Sequence, residues 1–320
     1  MADIVALVLP FFGLILIGFL VAKVKHHPAE ALGWLNVFII YVALPALFFK
    51  LVAQTPIEDL AQVDFIAADL FGTYLVFALV FIIGRYLRRN AFDESVIQAF
   101  GGSYGNIGYM GPGLGLLAFG EQAAVPVALV VCFENALHFM VAPAMMAMAG
   151  DEKRPPHQVA WEVVRKVSTH PFIVATALGF LVAALQVQPP VALQRLIDYL
   201  AQAAAPCALF AMGVTLALRP LKRIPVEIGY IVPVKLVVHP LLMWVVLSLA
   251  GNFDPVWIQA SMLLAALPAA TNVFVLAQQY GVWQERASAT ILITTALSVV
   301  TVSLFLYAMK SGLFPADLFP

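Results

Sequence analysis

Charge is what this chain has least of. Only 11% of its 320 residues are Asp, Glu, Lys or Arg while 62% are hydrophobic, against about 25% charged and about 45–50% apolar in soluble globular domains. A polar outer surface cannot be built from so few charges, so a water-soluble fold is excluded. The longest polar connection, from about Gly150 to Thr169, is some twenty residues, too short for a separate soluble domain. Cysteine is almost absent. Cys132 and Cys207 both fall in apolar runs, where a thiol packs as a small hydrophobe and neither a disulfide nor a metal site is expected. There is no paired-histidine zinc motif and no phosphate loop, so no metal, no cofactor and no nucleic-acid partner is expected.

Apolar length is what the chain has in abundance. About 20 apolar residues cross the hydrocarbon of a bilayer, and ten such stretches are present, at roughly 4–22, 33–52, 65–87, 95–119, 123–148, 170–187, 191–218, 226–250, 257–280 and 285–309. The expected fold is an all-α integral membrane protein with ten transmembrane helices. The first stretch follows Asp3 without a basic n-region or a small-residue cleavage pattern, so it reads as a retained helix rather than a signal peptide.

Basic residues set the orientation. Lys23, Lys25, Arg85, Arg88, Arg89, Lys153, Arg154, Arg165, Lys166, Arg219, Lys222, Arg223 and Arg286 fall on one side, thirteen of the seventeen. Lys50, Arg195 and Lys310 fall on the other, and Lys235 is inside a span. By the positive-inside rule the richer side is cytoplasmic and both termini are extracytoplasmic.

The basic loop "GDEKRPPHQVAWEVVRK" (150–166) splits the spans into two sets of five. An odd number per set makes the second start from the opposite side, the geometry of an inverted repeat. The expected organisation is a first repeat at 1–149, a cytoplasmic linker at 150–169 and a second repeat at 170–320. "LPALFF" (44–49) and "APCALF" (205–210) are a weak echo between the sets, each with a proline at mid-membrane. The fourth and ninth spans are a stronger one. "GGSYGNIGYMGPGLG" (101–115) carries Asn106, Gly108, Gly111 and Pro112, and "AALPAATNVFVLAQQYG" (265–281) carries Pro268 and Asn272.

Proline removes an N–H and glycine admits unusual backbone angles, so both spans are expected to be broken. A break in lipid leaves backbone groups unsatisfied at several kcal/mol each, and it persists only inside protein or beside a wet cavity. The free ends are useful there: half-helix N-termini attract an anion, and an asparagine at each break can donate to a carboxylate. Gly108 reads as a site of close backbone approach. Ordinary kinks and close-packing glycines are the alternative for either span alone, and the paired occurrence favours a binding site.

Intramembrane ionisable groups form a second constellation. Glu134 and His138 in "CFENALHFM" are four residues apart and share a helix face, with Asn135 beside them, and Lys235 and His239 in "VKLVVHP" repeat the spacing. A charge at the bilayer centre costs on the order of 2.5–3.5 kcal/mol on insertion scales, so these groups should face the interior and find partners. Glu134, His138 and Lys235 are therefore candidates for coupling to protons, with a structural ion pair as the alternative. Thr290, Thr294 and Ser298 follow an i, i+4, i+8 row, read as helix-packing glue or as sodium ligands. Gly-Gly-Ser-Tyr-Gly at 101–105 also fits the pattern of a serine nucleophile, and an intramembrane serine hydrolase using Ser103 is the reading from another class. It lacks the strand-to-helix turn of that motif.

The motifs "GNIGYMGPGLGLLAFG" (105–120), "LPAATNVFVLAQQYG" (267–281) and "VKLVVHPLL" (234–242) resemble those of the auxin efflux carrier family, which includes bacterial organic-acid carriers and the plant PIN-FORMED proteins. The resemblance covers essentially the whole chain and lacks only the long central loop of the plant members, as in short prokaryotic ones. It implies two inverted repeats in which spans 1, 2, 6 and 7 form a scaffold and spans 3–5 and 8–10 a mobile transport domain. Spans 4 and 9 cross as broken helices, as in the related bile-acid sodium symporters. Carried onto this sequence, it places the substrate beside Asn106, Pro112, Pro268 and Asn272, with Ile107, Gly108, Tyr109 and Val273 adjoining. The expected activity is secondary transport of a small organic anion, a carboxylate such as malate or malonate, with a sodium-coupled symporter as the alternative. The expected setting is a bacterial inner membrane, with a homodimer left open.

Overall fold

In hydrocarbon every backbone N–H and C=O must bond inside the protein, which makes a helix the default for each apolar run. The computed structural model describes residues 2–25, 29–56, 62–149, 168–218 and 224–315, with 157, 161, 164, 165 and 318. Among them the chain is helical, and its β contact is an isolated antiparallel bridge between Gly105 and Ala269. Most of the 150–169 linker, together with Lys153, Arg154, Lys166, Arg219, Lys222, Arg223 and Pro320, lies outside the described residues.

The helices are α1 (Ala2–Lys25), α2 (Gly33–Ala53), α3 (Val63–Leu87), α4 (Phe92–Ser103), α5 (Ile107–Phe119), α6 (Glu121–Ala149), α7 (Pro171–Leu185), α8 (Val191–Leu218), α9 (Ile228–Ala250), α10 (Pro255–Ala266), α11 (Thr271–Tyr280) and α12 (Gln284–Lys310). α2, α3, α6, α8, α9 and α12 are each long and apolar enough to cross a membrane. The protein is a multi-pass membrane protein.

Two apolar runs are each divided into a pair of short helices. α4 ends at Ser103 because Tyr104 turns extended (φ −78°, ψ 100°), and α5 begins after Asn106. α10 ends where Leu267 turns extended (φ −63°, ψ 151°), and α11 begins after Ala270. Leu267 precedes Pro268, whose ring pushes the preceding residue out of helical angles. Pro112 behaves differently: it sits inside α5, beyond the first turn, and the helix runs through it.

The helices fall into two packed groups. α1 packs chiefly on α8, and α2 on α7 and α8, whereas α3, α4, α6, α9, α10 and α12 pack on one another, with lighter contacts between the groups. The tightest seam is between α1 and α8. A Cβ on Gly213 would lie 1.9 Å from the Ile15 carbonyl oxygen, and one on Gly18 would lie 2.2 Å from that of Phe210. Two glycines thus let backbone meet backbone, the small-residue packing that joins helices where apolar burial supplies no drive. Gly213→Ala is expected to lower stability by about 1–3 kcal/mol, the usual cost of overpacking, whereas Gly13→Ala on the same seam's α1, with nothing within 4 Å of the new methyl, should leave it unchanged. Thermal unfolding of the two variants in detergent checks this.

Candidate functional site

The two breaks meet and satisfy one another. The Asn106 N–H donates to the Pro268 carbonyl (2.8 Å) and the Ala270 N–H donates to the Tyr104 carbonyl (2.9 Å). The Ala269 N–H donates to Thr294 Oγ1 (3.2 Å). Lys235 Nζ donates to the Ala265 carbonyl (2.6 Å), at the C-terminal end of α10. Backbone groups freed by the breaks therefore find partners within protein, as burial requires. Close approach falls at Gly105: a Cβ there would stand 3.0 Å from the Leu264 oxygen and 3.3 Å from Lys235 Nζ. Gly108, expected to need such closeness, has nothing within 4 Å of its would-be Cβ, because it faces a cavity.

That cavity lies against the crossing. Tyr104, Gly105, Asn106, Gly108 and Tyr109 form one wall, Ala270, Thr271 and Asn272 a second, and Asn135, Phe139 and His170 a third. Ile40, Leu44 and Phe48, at i, i+4 and i+8 on α2, supply an apolar wall from the other helix group. α5 and α11 both begin here, and neither first turn is capped by a side chain. Two sets of first-turn N–H groups are thus presented at the cavity, each carrying roughly half a positive charge.

Polar side chains are held in place around it. The Tyr104 hydroxyl accepts from Asn272 Nδ2 (2.7 Å) and donates to Asn135 Oδ1, and Asn135 Nδ2 donates to the Val131 carbonyl (2.6 Å). One phenol therefore joins α6 to α11. The Asn106 amide instead reaches across to α8, where Nδ2 lies 3.1 Å from the Met212 sulfur, a weak acceptor.

Of the residues read from sequence, Asn106, Gly108, Tyr109 and Asn272 line the cavity. Ile107, Val273, Pro112 and Pro268 do not. Pro268 instead shapes the second break, and Pro112 is buried within α5. Tyr104, Asn135, Phe139, His170 and Thr271 line it without having been singled out as binding residues. Tyr104 and Asn135 stood within the quoted motifs, whereas His170, next to the linker, carried no motif signal.

Glu134 and Lys235 lie behind the crossing, in a buried polar cluster. Lys235 Nζ is 3.1 Å from His239 Nδ1, His239 Nε2 is 3.3 Å from Thr73 Oγ1, and the Thr73 hydroxyl donates to Glu134 Oε1 (2.5 Å). Asp69, an acid inside α3, accepts from the Ser261 hydroxyl (2.8 Å) and interacts directly with the Glu134 carboxyl. A wide five-residue turn at Val234–Val238, between Pro233 and Pro240, carries Lys235 into this cluster. His138 is not part of the chain. Its Nδ1 bonds the main-chain oxygen of Glu134 (2.5 Å), its Nε2 has no partner, and its ring stacks on Tyr104 at 4.1 Å. The i, i+4 spacing let the imidazole turn back on its own helix and away from the carboxyl, which corrects the expectation of a Glu134–His138 side-chain pair.

Ser103 donates to the Ala99 carbonyl (2.9 Å) and is fully buried, a helix-internal bond rather than a nucleophile's setting. In the Thr290, Thr294, Ser298 row each hydroxyl bonds a carbonyl of its own helix, and Thr294 also accepts from the second break. Among the described residues no group of three or more His, Cys, Asp and Glu could hold a metal ion.

Tyr104→Phe is expected to cost about 1–3 kcal/mol of stability, since it strands the buried Asn135 acceptor, and to uncouple Asn135 from Asn272. A double-mutant cycle of Tyr104→Phe with Asn272→Ala, read by thermal unfolding, should give a non-zero interaction energy.

Residues 3–150 and 134–306 match the family described as "Membrane transport protein". The chain is 67% identical, over the whole of both sequences, to a protein of Rhizobium meliloti (strain 1021) named "Putative malonate transporter". It is 23% identical to "Uncharacterized transporter YfdV" of Escherichia coli (strain K12), over 94% of this chain and 96% of that one. These relatives are named as transporters, not enzymes, which sets aside the hydrolase reading of Ser103. With the family matched along nearly its whole length, the chain belongs to the membrane transport protein family, the auxin efflux carriers that its broken-span motifs resemble.

Proposed function

We propose that the protein is a secondary active transporter that carries a small carboxylate through the crossing by alternating access. The carrying observation is the pair of uncapped helix N-termini, α5 and α11, opening on one cavity beside Asn106 and Asn272. Together they offer about one positive charge, matched to one carboxylate. The name of the Rhizobium relative supports malonate as cargo.

In this reading the helices compose ten spans, with α4–α5 and α10–α11 as the fourth and ninth, in two inverted sets of five around the linker. Both termini are extracytoplasmic, in a bacterial inner membrane. α1, α2, α7 and α8 are the scaffold against which the other helices slide. The separate packing of the two groups and the apolar face of α2 toward the cavity support this division. A second cavity, lined by Tyr41, Pro143, Thr169, Gln279 and Tyr280, shares Phe139, His170 and Asn272 with the first and lies toward the linker. It gives the crossing a way out on the side that the basic residues mark as cytoplasmic. A reporter after Pro320 and a tag within 150–156 should accordingly fall on opposite sides of the membrane.

Coupling belongs to Glu134. Its carboxyl connects through Thr73 and His239 to Lys235, which holds the carbonyl end of α10 at the crossing. A proton gained or lost at Glu134, or shared with Asp69, is thereby relayed to the binding site, with His239 rather than His138 as the relay. Glu134→Gln should leave substrate binding intact and abolish the pH dependence of transport in proteoliposomes. Unchanged pH dependence, with uptake that requires sodium, would favour the sodium-coupled symporter instead. Asn106→Ala and Asn272→Ala should each weaken malonate binding by about one to two decades, the worth of a hydrogen bond to a charged group. Wild-type affinity in both variants would move the site elsewhere.

A further inference from the structure

The two cavities together contain no lysine, arginine, aspartate or glutamate among their lining residues. Two half-helix ends supply roughly one positive charge, enough for one carboxylate and not for two. Among those lining residues His170 carries the imidazole, whose ring N–H can donate to a carboxylate in either protonation state. His170 precedes Pro171 at the start of α7, in the scaffold group, with extended backbone (φ −70°, ψ 128°) that turns it out of the helix. Its ring stacks on Phe139 (4.9 Å between centroids, 25° between planes). Phe139 is one helical turn beyond Asn135, which places the imidazole next to the Tyr104–Asn135–Asn272 chain. Only Phe139, His170 and Asn272 line both cavities, so the ring stands at the neck between them.

We propose that His170 is the specificity residue for a dicarboxylate: one carboxylate sits at the N-termini of α5 and α11, and the other is held at the neck by the His170 imidazole. This rests on the carrier reading above and deepens it. A monocarboxylate seated at the helix ends would not reach His170, so affinity for it should be insensitive to the histidine. Because His170 belongs to the scaffold group and Asn272 to the other, a dianion would also bridge the two helix groups.

The test compares malonate with its monomethyl ester, close in shape with one charge fewer, by thermal stabilisation and by equilibrium binding of the detergent-purified protein. Wild type should prefer malonate by about 10–100-fold. In His170→Gln the preference should fall to within about threefold, through loss of malonate affinity, with ester affinity and melting temperature unchanged. His170→Asn, shorter, should do the same and guards against a misfolded first variant. A malonate preference that survives both variants overturns the assignment, as does an equal loss of both ligands. Wild type that binds both ligands with equal affinity overturns His170 as the specificity residue and leaves the carrier reading intact. Wild type that binds neither ligand overturns the carrier reading itself, and this inference with it.

Discussion

The structure depends on two main-chain hydrogen bonds, Asn106 N–H to Pro268 and Ala270 N–H to the Tyr104 carbonyl. A broken helix in lipid is tolerated only when its freed groups are satisfied, and here each break is the other's chief partner. Neither interruption would be stable alone. The antiparallel bridge fixes α5 and α11 with their first turns at one cavity, whose lining holds no lysine or arginine. Helix ends differ from lysines in a useful way, since their partial charge cannot be neutralised by proton loss.

Behind the bridge the constraint is of the opposite kind. Lys235 is fully buried and donates to the Ala265 carbonyl, and its charge is answered through His239 and Thr73 by Glu134. Asp69 and Ser261 close the cluster from α3 and α10. Four helices are tied there by polar groups that have no alternative partner in hydrocarbon. The α1–α8 seam is held by other means: Gly18 and Gly213 bring the two helices into backbone contact.

The breaks were legible in the sequence because glycine, proline and asparagine clustered within an apolar run disfavour a continuous helix. An asparagine was expected at each break, and the chain turns at Tyr104 to Asn106 and again at Leu267 to Ala270, just before Asn272, while Pro112, singled out beside Asn106, is absorbed within α5. There its ring removes only the bond that Gly108 O would accept. The close approach expected at Gly108 falls at Gly105 instead, since closeness depends on what the other half of the molecule brings to each, Leu264 and Lys235 in the case of Gly105. Asp69 passed unnoticed although it is an acid in an apolar span. Its partners, Ser261 and Glu134, come from helices far away in sequence, and local spacing cannot register them. For His138 the same helical spacing that suggested a pair with Glu134 also allowed the contact that forms, with the main chain.

The central claim is that the anion occupies the cavity between the two helix N-termini, and labelling at Gly108 tests it most directly. A side chain there projects into open space, so Gly108→Cys, with Cys132 and Cys207 replaced by alanine, places one thiol in the cavity. The account predicts that a small charged thiol reagent modifies this cysteine and that saturating malonate slows the modification at least tenfold. A labelling rate unaffected by malonate, in protein that malonate still stabilises against heat, would contradict it.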